Sequence, residues 1–200
     1  MALSRDREGI SVVAATSIEA KAARRELPGV RVYETGVGLA KLSATLGDIV
    51  VSCGLAGGLR AENPSGTVLV PREVLRPDGS TLVCDPDLVD ALVFAARSAG
   101  FEPLLDAVVT SRVLVRGADR EIWARRGYAG VDMETGLIYA PRVAAVRVVL
   151  DTPGRELSAD WLRPVTAMLR PWNWPQAAWL AREAPRYARR AAAIVAAAFA

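Results

Sequence analysis

No histidine occurs in the 200 residues, and that absence removes more chemistry than any other feature of the composition. Ser–His–Asp and Cys–His nucleophilic sites, and imidazole metal sites, all need the missing ring. Proton transfer must then run through carboxylates, tyrosine, cysteine, lysine or water. Lysine is scarce as well: only Lys21 and Lys41 are present, which makes Schiff-base chemistry an unattractive reading. The two cysteines, Cys53 and Cys84, form no CxxC pair, so free thiols in a reducing compartment are expected. No apolar run reaches the roughly 18 residues of a membrane span. The opening MALSRDREGI lacks the apolar centre of a signal peptide. A cytoplasmic location is the expectation that follows. Charge of one sign is not in excess: the net is +3, and this total gives no nucleic-acid footprint. No metal site and no organic cofactor are expected.

What is present is a folding composition. Apolar residues make up 52% and charged residues 24%, and the length suits one α/β domain with a sizeable core. GISVVAAT (9–16) is a continuous β-rich run, as in a strand covered on both faces. SIEAKAARREL (17–27) reads as a helix, capped by Ser17 and stopped by the Pro–Gly at 28–29. VRVYETG (30–36) is a second strand, GLAKLSATLG (38–47) a short helix, and DIVVSCG (48–54) a third strand running into LAGGL. TVLVPREVLR (67–76) is strand-like, residues 86–100 form an amphipathic helix, and 102–115 are strand-rich. A helix over 118–127, a strand YAGVDM, a short helix ETGLIYA and a long strand over 142–152 follow. Beyond PGREL the chain reads as helix broken by Pro164, Pro171, Pro175 and Pro185.

Strands alternating with helices predict a mostly parallel sheet with helices on both faces, and ligands at the carboxyl ends of its strands. The polar clusters fall at those ends. ATSIE follows the first strand, ETGVG the second and CGLAGGL the third, while DMET and LDT end later ones. Taken singly, each has a plain structural reading. Asp151 could cap the segment after it, and Glu134 could offset a helix dipole. Glu19, near Lys21, Arg24 and Arg25, could be a solvated carboxylate, and Gly36, Gly38, Gly57 and Gly58 could be turn residues.

Together, ATSIEA, TGVGLAKLSA, CGLAGGL, VDMET and VVLDT resemble the nucleoside phosphorylase and nucleosidase superfamily, over residues 10 to 157. SCGLAGGL, LDTPGREL and the Arg- and Trp-bearing tail resemble its hopanoid-associated branch, whose members release adenine from adenosylhopane. The resemblance implies a twisted mixed sheet flanked by helices over 1–157, with a helical extension over 158–200 packed on or beside it. It implies Asp151 as the acid that protonates the departing purine at N7, and Glu19 as the base that activates water. Met133 and Glu134 would hold the ribose, with Gly57 and Leu114 also against the substrate. Backbone N–H groups at Gly36, Gly38 and Gly58 would bind an anion.

Two departures from the family pattern bear on the nucleophile and the base. Ser52 and Leu55 stand where phosphorolytic relatives hold phosphate, so water is favoured, with inorganic phosphate the one co-substrate left open and Arg112, Arg116 or Arg155 its remaining ligands. Leu114 stands where a purine-stacking aromatic is expected. The alternatives are a soluble methylthioadenosine/S-adenosylhomocysteine-type nucleosidase and a non-catalytic nucleoside-binding protein. Residues 161–190 place Trp161, Trp172, Trp174 and Trp179 among Arg163, Arg170, Arg182, Arg186, Arg189 and Arg190. That mixture suits either a peripheral membrane contact with a lipid-linked substrate or packing on the core or a second subunit. A homo-oligomer is expected, and no nucleic-acid partner.

Overall fold

The computed structural model describes residues 9–162 and 167–200. Three long or buried strands organise it: β1 (Ile10–Ala14), β3 (Ile49–Gly58) and β9 (Arg142–Asp151). All are apolar runs rich in Val and Ala, as strands covered on both faces must be. β3 runs parallel to both β1 and β9, and β2 (Arg31–Glu34) extends the sheet beyond β1, also parallel. On the other flank lie β7 (Val108–Thr110) and β8 (Gly130–Asp132), parallel to each other, followed by β5 (Glu73–Leu75) and β6 (Thr81–Val83). β4 (Val68–Leu69) pairs with β9. The sheet is therefore mixed, with order β2-β1-β3-β8-β7-β5-β6 and β9 beside β3.

Among the described residues it is flanked by α1 (Ser17–Glu26), α2 (Pro86–Ser98), α3 (Ala118–Arg125) and α4 (Trp174–Ala198). The α1 cap is Thr16, one residue before Ser17, whose hydroxyl accepts the Glu19 N–H while the Glu19 carboxylate takes the Thr16 N–H. α2 starts on Asp85 with Pro86 in its first turn. In α4, Trp179, Ala184, Tyr187, Ala191, Ile194 and Val195 join Val51, Cys53, Val146 and Val148 in one continuous core. Each fully buried Val or Ile there is worth about 1.5–3 kcal/mol.

The expected helix over 38–47 is absent. Only one tight turn, Val37–Leu39, forms, because Gly36, Gly38 and Leu39 all sit at positive φ, which no right-handed helix tolerates. The strand-like stretch 67–76 divides at Pro71, which lacks an N–H, and its halves pair with different partners. The β5–β6 hairpin was not anticipated; it turns through Asp78 and Gly79, with Gly79 at φ 87°. Of 102–115 only Val108–Thr110 is a strand, and of ETGLIYA only Thr135–Leu137 is helical. Pro185 does not break α4. It removes one backbone hydrogen bond, and the buried Trp179, Ala184, Tyr187 and Ala188 on either side hold the helix against the core. Pro171 opens a short turn, Pro175 lies in the first turn of α4, and Pro164 lies outside the described residues.

The direction of β8 positions the site. It runs against β3, with Gly58 opposite Gly130 and Gly57 opposite Val131. The chain leaving β8 therefore travels back along β3 and delivers residues 132–134 beside the middle of that strand, where the side chains of Ser52 and Arg147 lie.

Candidate active site

A cavity of about 210 Å³ opens where β1, β3, β8 and β9 meet, and Glu19, Met133, Glu134, Asp151, Gly57 and Leu114 all line it. Five sequence segments remote from one another thus converge on one space. Leu55, Val113, Val115, Leu150 and Leu157 supply much of the remaining wall, so the carboxylates face an apolar chamber.

Glu19 is buried, not solvated. Its Oε2 accepts from the Thr16 N–H and hydroxyl, and its Oε1 accepts from the Leu55 N–H at 2.7 Å. It lies against Gly54, where a Cβ would stand 2.2 Å from Oε1. The same imaginary Cβ would meet Arg147 Nη1 at 2.9 Å, so this glycine keeps the Glu19 carboxylate and the Arg147 guanidinium on one patch of β3.

Arg147 was not singled out from the sequence, and it is the electrostatic centre of the site. It projects from the middle of β9 and is only 1% exposed. Nε donates to Asp132 Oδ2 at 2.9 Å, and Nη2 donates to Ser52 Oγ at 2.6 Å and Thr135 Oγ1 at 2.9 Å. Glu134 Oε2 lies 3.7 Å from Nη2. Nη1 is buried with no hydrogen-bond partner. Unpaired buried donors are rare and costly, so Nη1 marks a place for a polar ligand atom or water. Asp132 is the main counter-ion of Arg147, held also by the Thr110 and Thr135 hydroxyls. The two carboxylates flanking Met133 therefore divide the work. Asp132 fixes the guanidinium, and Glu134 faces the cavity.

The Glu134 carboxyl is pushed up to about 7, first by burial, with Asp132 and Glu19 adding to the rise and Arg147 and the Gly38 N–H opposing it. Its Oε1 accepts that N–H at 3.2 Å, which fixes one oxygen against the 36–39 turn. Asp151 is also raised above the ordinary carboxylate range, again by burial, against the pull of Arg120. Arg120, from α3, is 1% exposed and pairs directly with Asp151 Oδ2. Cys53 is buried and pushed up to about 12, mainly by desolvation, which leaves it an inert thiol.

The three glycines expected to bind an anion are placed differently. Gly58 is the last residue of β3, paired with Gly130, and its carbonyl accepts from Arg120. That is a sheet interior and not an anion-cradling turn. The Gly38 N–H is given to Glu134. Gly36 stands at φ 70° in the same turn. None of the three is on the cavity wall. Of the arginines considered for phosphate, Arg116 pairs with Glu156, Arg155 stacks over Trp179 at 4.3 Å, and Arg112 lines a separate depression beside β5 and β7.

No protein-family model and no curated protein matches the chain. Solved structures do. Futalosine hydrolase of Helicobacter pylori matches with a TM-score of 0.71 at 12% identity, over 94% of this chain and 96% of that one. The 5'-methylthioadenosine/S-adenosylhomocysteine nucleosidase of Neisseria meningitidis, complexed with methylthio-immucillin-A, matches with 0.70 at 16% identity, over 94% and 97%. The S-adenosylhomocysteine nucleosidase of Streptococcus pyogenes, complexed with 5-methylthiotubericidin, matches with 0.70 at 15%, over 94% of each. The chain has the nucleosidase fold. Likeness at this identity speaks to the fold alone.

The tail divides between core and surface. Trp179 and Tyr187 are buried in the core, whereas Trp172 and Trp174 are 72% and 58% exposed beside Met168 and Leu169. Among the described residues no helix is long and apolar enough to cross a membrane.

Proposed function

We propose that the chain cleaves the N-glycosidic bond of a purine nucleoside and releases adenine. The observation that carries this reading is the convergence of Glu19, Glu134 and Asp151 on one apolar cavity whose wall also holds the buried Arg120. Breaking such a bond leaves an oxocarbenium-like sugar and a purine that needs a proton. Asp151, held above the ordinary carboxylate range in a chamber of Leu and Val side chains, is the acid for the purine. Glu134 accepts hydrogen bonds from ribose hydroxyls, and Met133 packs on the sugar. Glu19 and the free Nη1 of Arg147 share one patch of β3, so a water held between them is oriented by one and deprotonated by the other.

Water is the nucleophile in this reading. Arg120, on the cavity wall, is already committed to Asp151, and Arg147 is committed to the cavity residue Asp132. The finer substrate reading is a lipid-linked nucleoside of the adenosylhopane type, carried by the SCGLAGGL and LDTPGREL motifs. The exposed Trp172 and Trp174 would then rest on the bilayer holding it. A soluble 5'-methylthioadenosine-type substrate is the second reading, favoured by the names of the structural neighbours. Adenine release is measured by chromatography for 5'-methylthioadenosine, adenosine and a 5'-alkyl adenosine in detergent, with wild type and Asp151→Asn. The variant keeps its fold and loses about 10² to 10⁴ in rate, the usual worth of a general acid. Turnover near the wild-type rate in Asp151→Asn removes that residue from the mechanism.

A further inference from the structure

Arg120 sits in an otherwise ordinary surface helix and is nonetheless among the most buried side chains of the protein. Its donors reach three separate segments of the chain. Nη1 donates to the Gly58 carbonyl of β3 at 2.7 Å, Nε to the Val115 carbonyl at 3.2 Å, and Nη2 to Asp151 Oδ2 of β9. Glu156 Oε1 approaches Nε at 3.2 Å and also accepts the Gly117 N–H at 2.7 Å. Arg116, at 3.8 Å from the other Glu156 oxygen, completes the charged groups facing this pair. Asp132, Glu134 and Glu19 line the same cavity, and Arg147 pairs with the first two.

The two oxygens of Asp151 are thereby made unequal. Oδ2 takes Arg120 and the Leu157 N–H. Oδ1 lies over Gly57, a cavity residue, where a Cβ would stand 3.2 Å away. A carboxylic acid whose one oxygen is held by a guanidinium and an amide carries its proton on the other. On the nucleosidase reading above, that other oxygen is the one that must present a proton to the purine.

We propose that Arg120 is a positioning residue of the site: it turns Oδ1 of Asp151 into the cavity and ties the 113–117 loop, which lines the base side, to the same carboxyl. Glu156 balances it from the opposite side. Burial raises the acid, Arg120 restrains that rise, and Glu156 in turn weakens Arg120. Two substitutions must then act in opposite senses. Arg120→Met removes the restraint, so Asp151 holds its proton to higher pH. Glu156→Gln leaves Arg120 to Asp151 alone, so the proton is lost at lower pH. A residue that merely braces the fold moves neither.

The test is the pH profile of kcat/KM for adenine release in wild type, Arg120→Met, Arg120→Lys and Glu156→Gln. It is paired with a carbon-13 NMR titration of the Asp151 carboxyl, assigned against Asp151→Asn. Beside an arginine a carboxyl moves by about 1 to 3 pH units. The alkaline limb and the NMR midpoint are expected to rise by at least about one unit in Arg120→Met, return part-way in Arg120→Lys, and fall in Glu156→Gln. In Arg120→Met, kcat drops more than KM changes. If Arg120→Met does not fold, the half-buried Glu156→Gln decides alone: a downward midpoint supports the proposal and an unmoved one overturns it. If no nucleoside is cleaved, the nucleosidase reading fails while the NMR midpoints still decide the Arg120 assignment. Unmoved midpoints in folded variants overturn it.

Discussion

Replacing Glu134 by Gln should change how stability depends on pH, and the direction follows from the structure. The Glu134 carboxyl is carried from its ordinary 4.5 to about 7 in the fold, chiefly by burial. Its folded-state value lies above its unfolded one, so between these two values the folded protein binds more protons than the unfolded chain. Stability contributed by this group is then fully present below about pH 4.5 and is lost as pH rises towards 7, after which it changes no further. The size of the loss is on the order of 3 kcal/mol, from about 1.4 kcal/mol per pH unit. Gln has the same shape and no proton to lose. Removing Glu134 also takes a charge from beside Arg147, at 3.7 Å, so the absolute stability of the variant is a separate matter from its slope. Urea unfolding of wild type and Glu134→Gln at several pH values from 5 to 8 measures the difference. Wild type should lose about 2–3 kcal/mol relative to the variant across that window. Parallel curves would mean that burial does not raise the Glu134 carboxyl and would place it in contact with solvent.

Three further outcomes follow from the same geometry. Glu134→Gln should weaken ribose-containing ligands more than free adenine by about 1 to 3 kcal/mol, read by calorimetry, because a charge-assisted hydrogen bond becomes a neutral one; equal weakening puts Glu134 outside the sugar site. Gly54→Ala should lower stability by about 1 to 3 kcal/mol and abolish activity, since its methyl would enter the Glu19–Arg147 contact. Gly9→Ala, where no atom lies within 4 Å, should leave the melting temperature nearly unchanged, and a similar loss in both variants would refute the crowding argument.

The long apolar strands were legible because burial on both faces leaves an unbroken Val- and Ala-rich signature, as in β3 and β9. β5 and β6 were not, because three-residue strands carry no period to detect, and their hairpin is marked only by the Asp78–Gly79 turn. The helix expected over 38–47 failed on backbone handedness, which helix-forming side chains do not reveal. In the site, the resemblance pointed to Glu19 as the base while the neighbouring Lys21, Arg24 and Arg25 left a solvated carboxylate open, although Thr16 three residues earlier already spelled a capping box. Arg147 did leave a trace: a charge inside RVAAVRVVLD has no place in a buried strand without a partner. Arg120 left none. In ADREIWAR it resembles Arg125, and only the packing of α3 over the end of β9 buries one and exposes the other.

In the proposed function, water attacks the anomeric carbon while Asp151 protonates the leaving purine. Single-turnover cleavage in phosphate-free buffer made with ¹⁸O-water tests it directly, with wild type and Glu19→Gln. Wild type is expected to give free adenine and a sugar carrying ¹⁸O at its anomeric carbon, and Glu19→Gln to lose both products. A sugar 1-phosphate that appears only when phosphate is added, with no reaction in its absence, would contradict it.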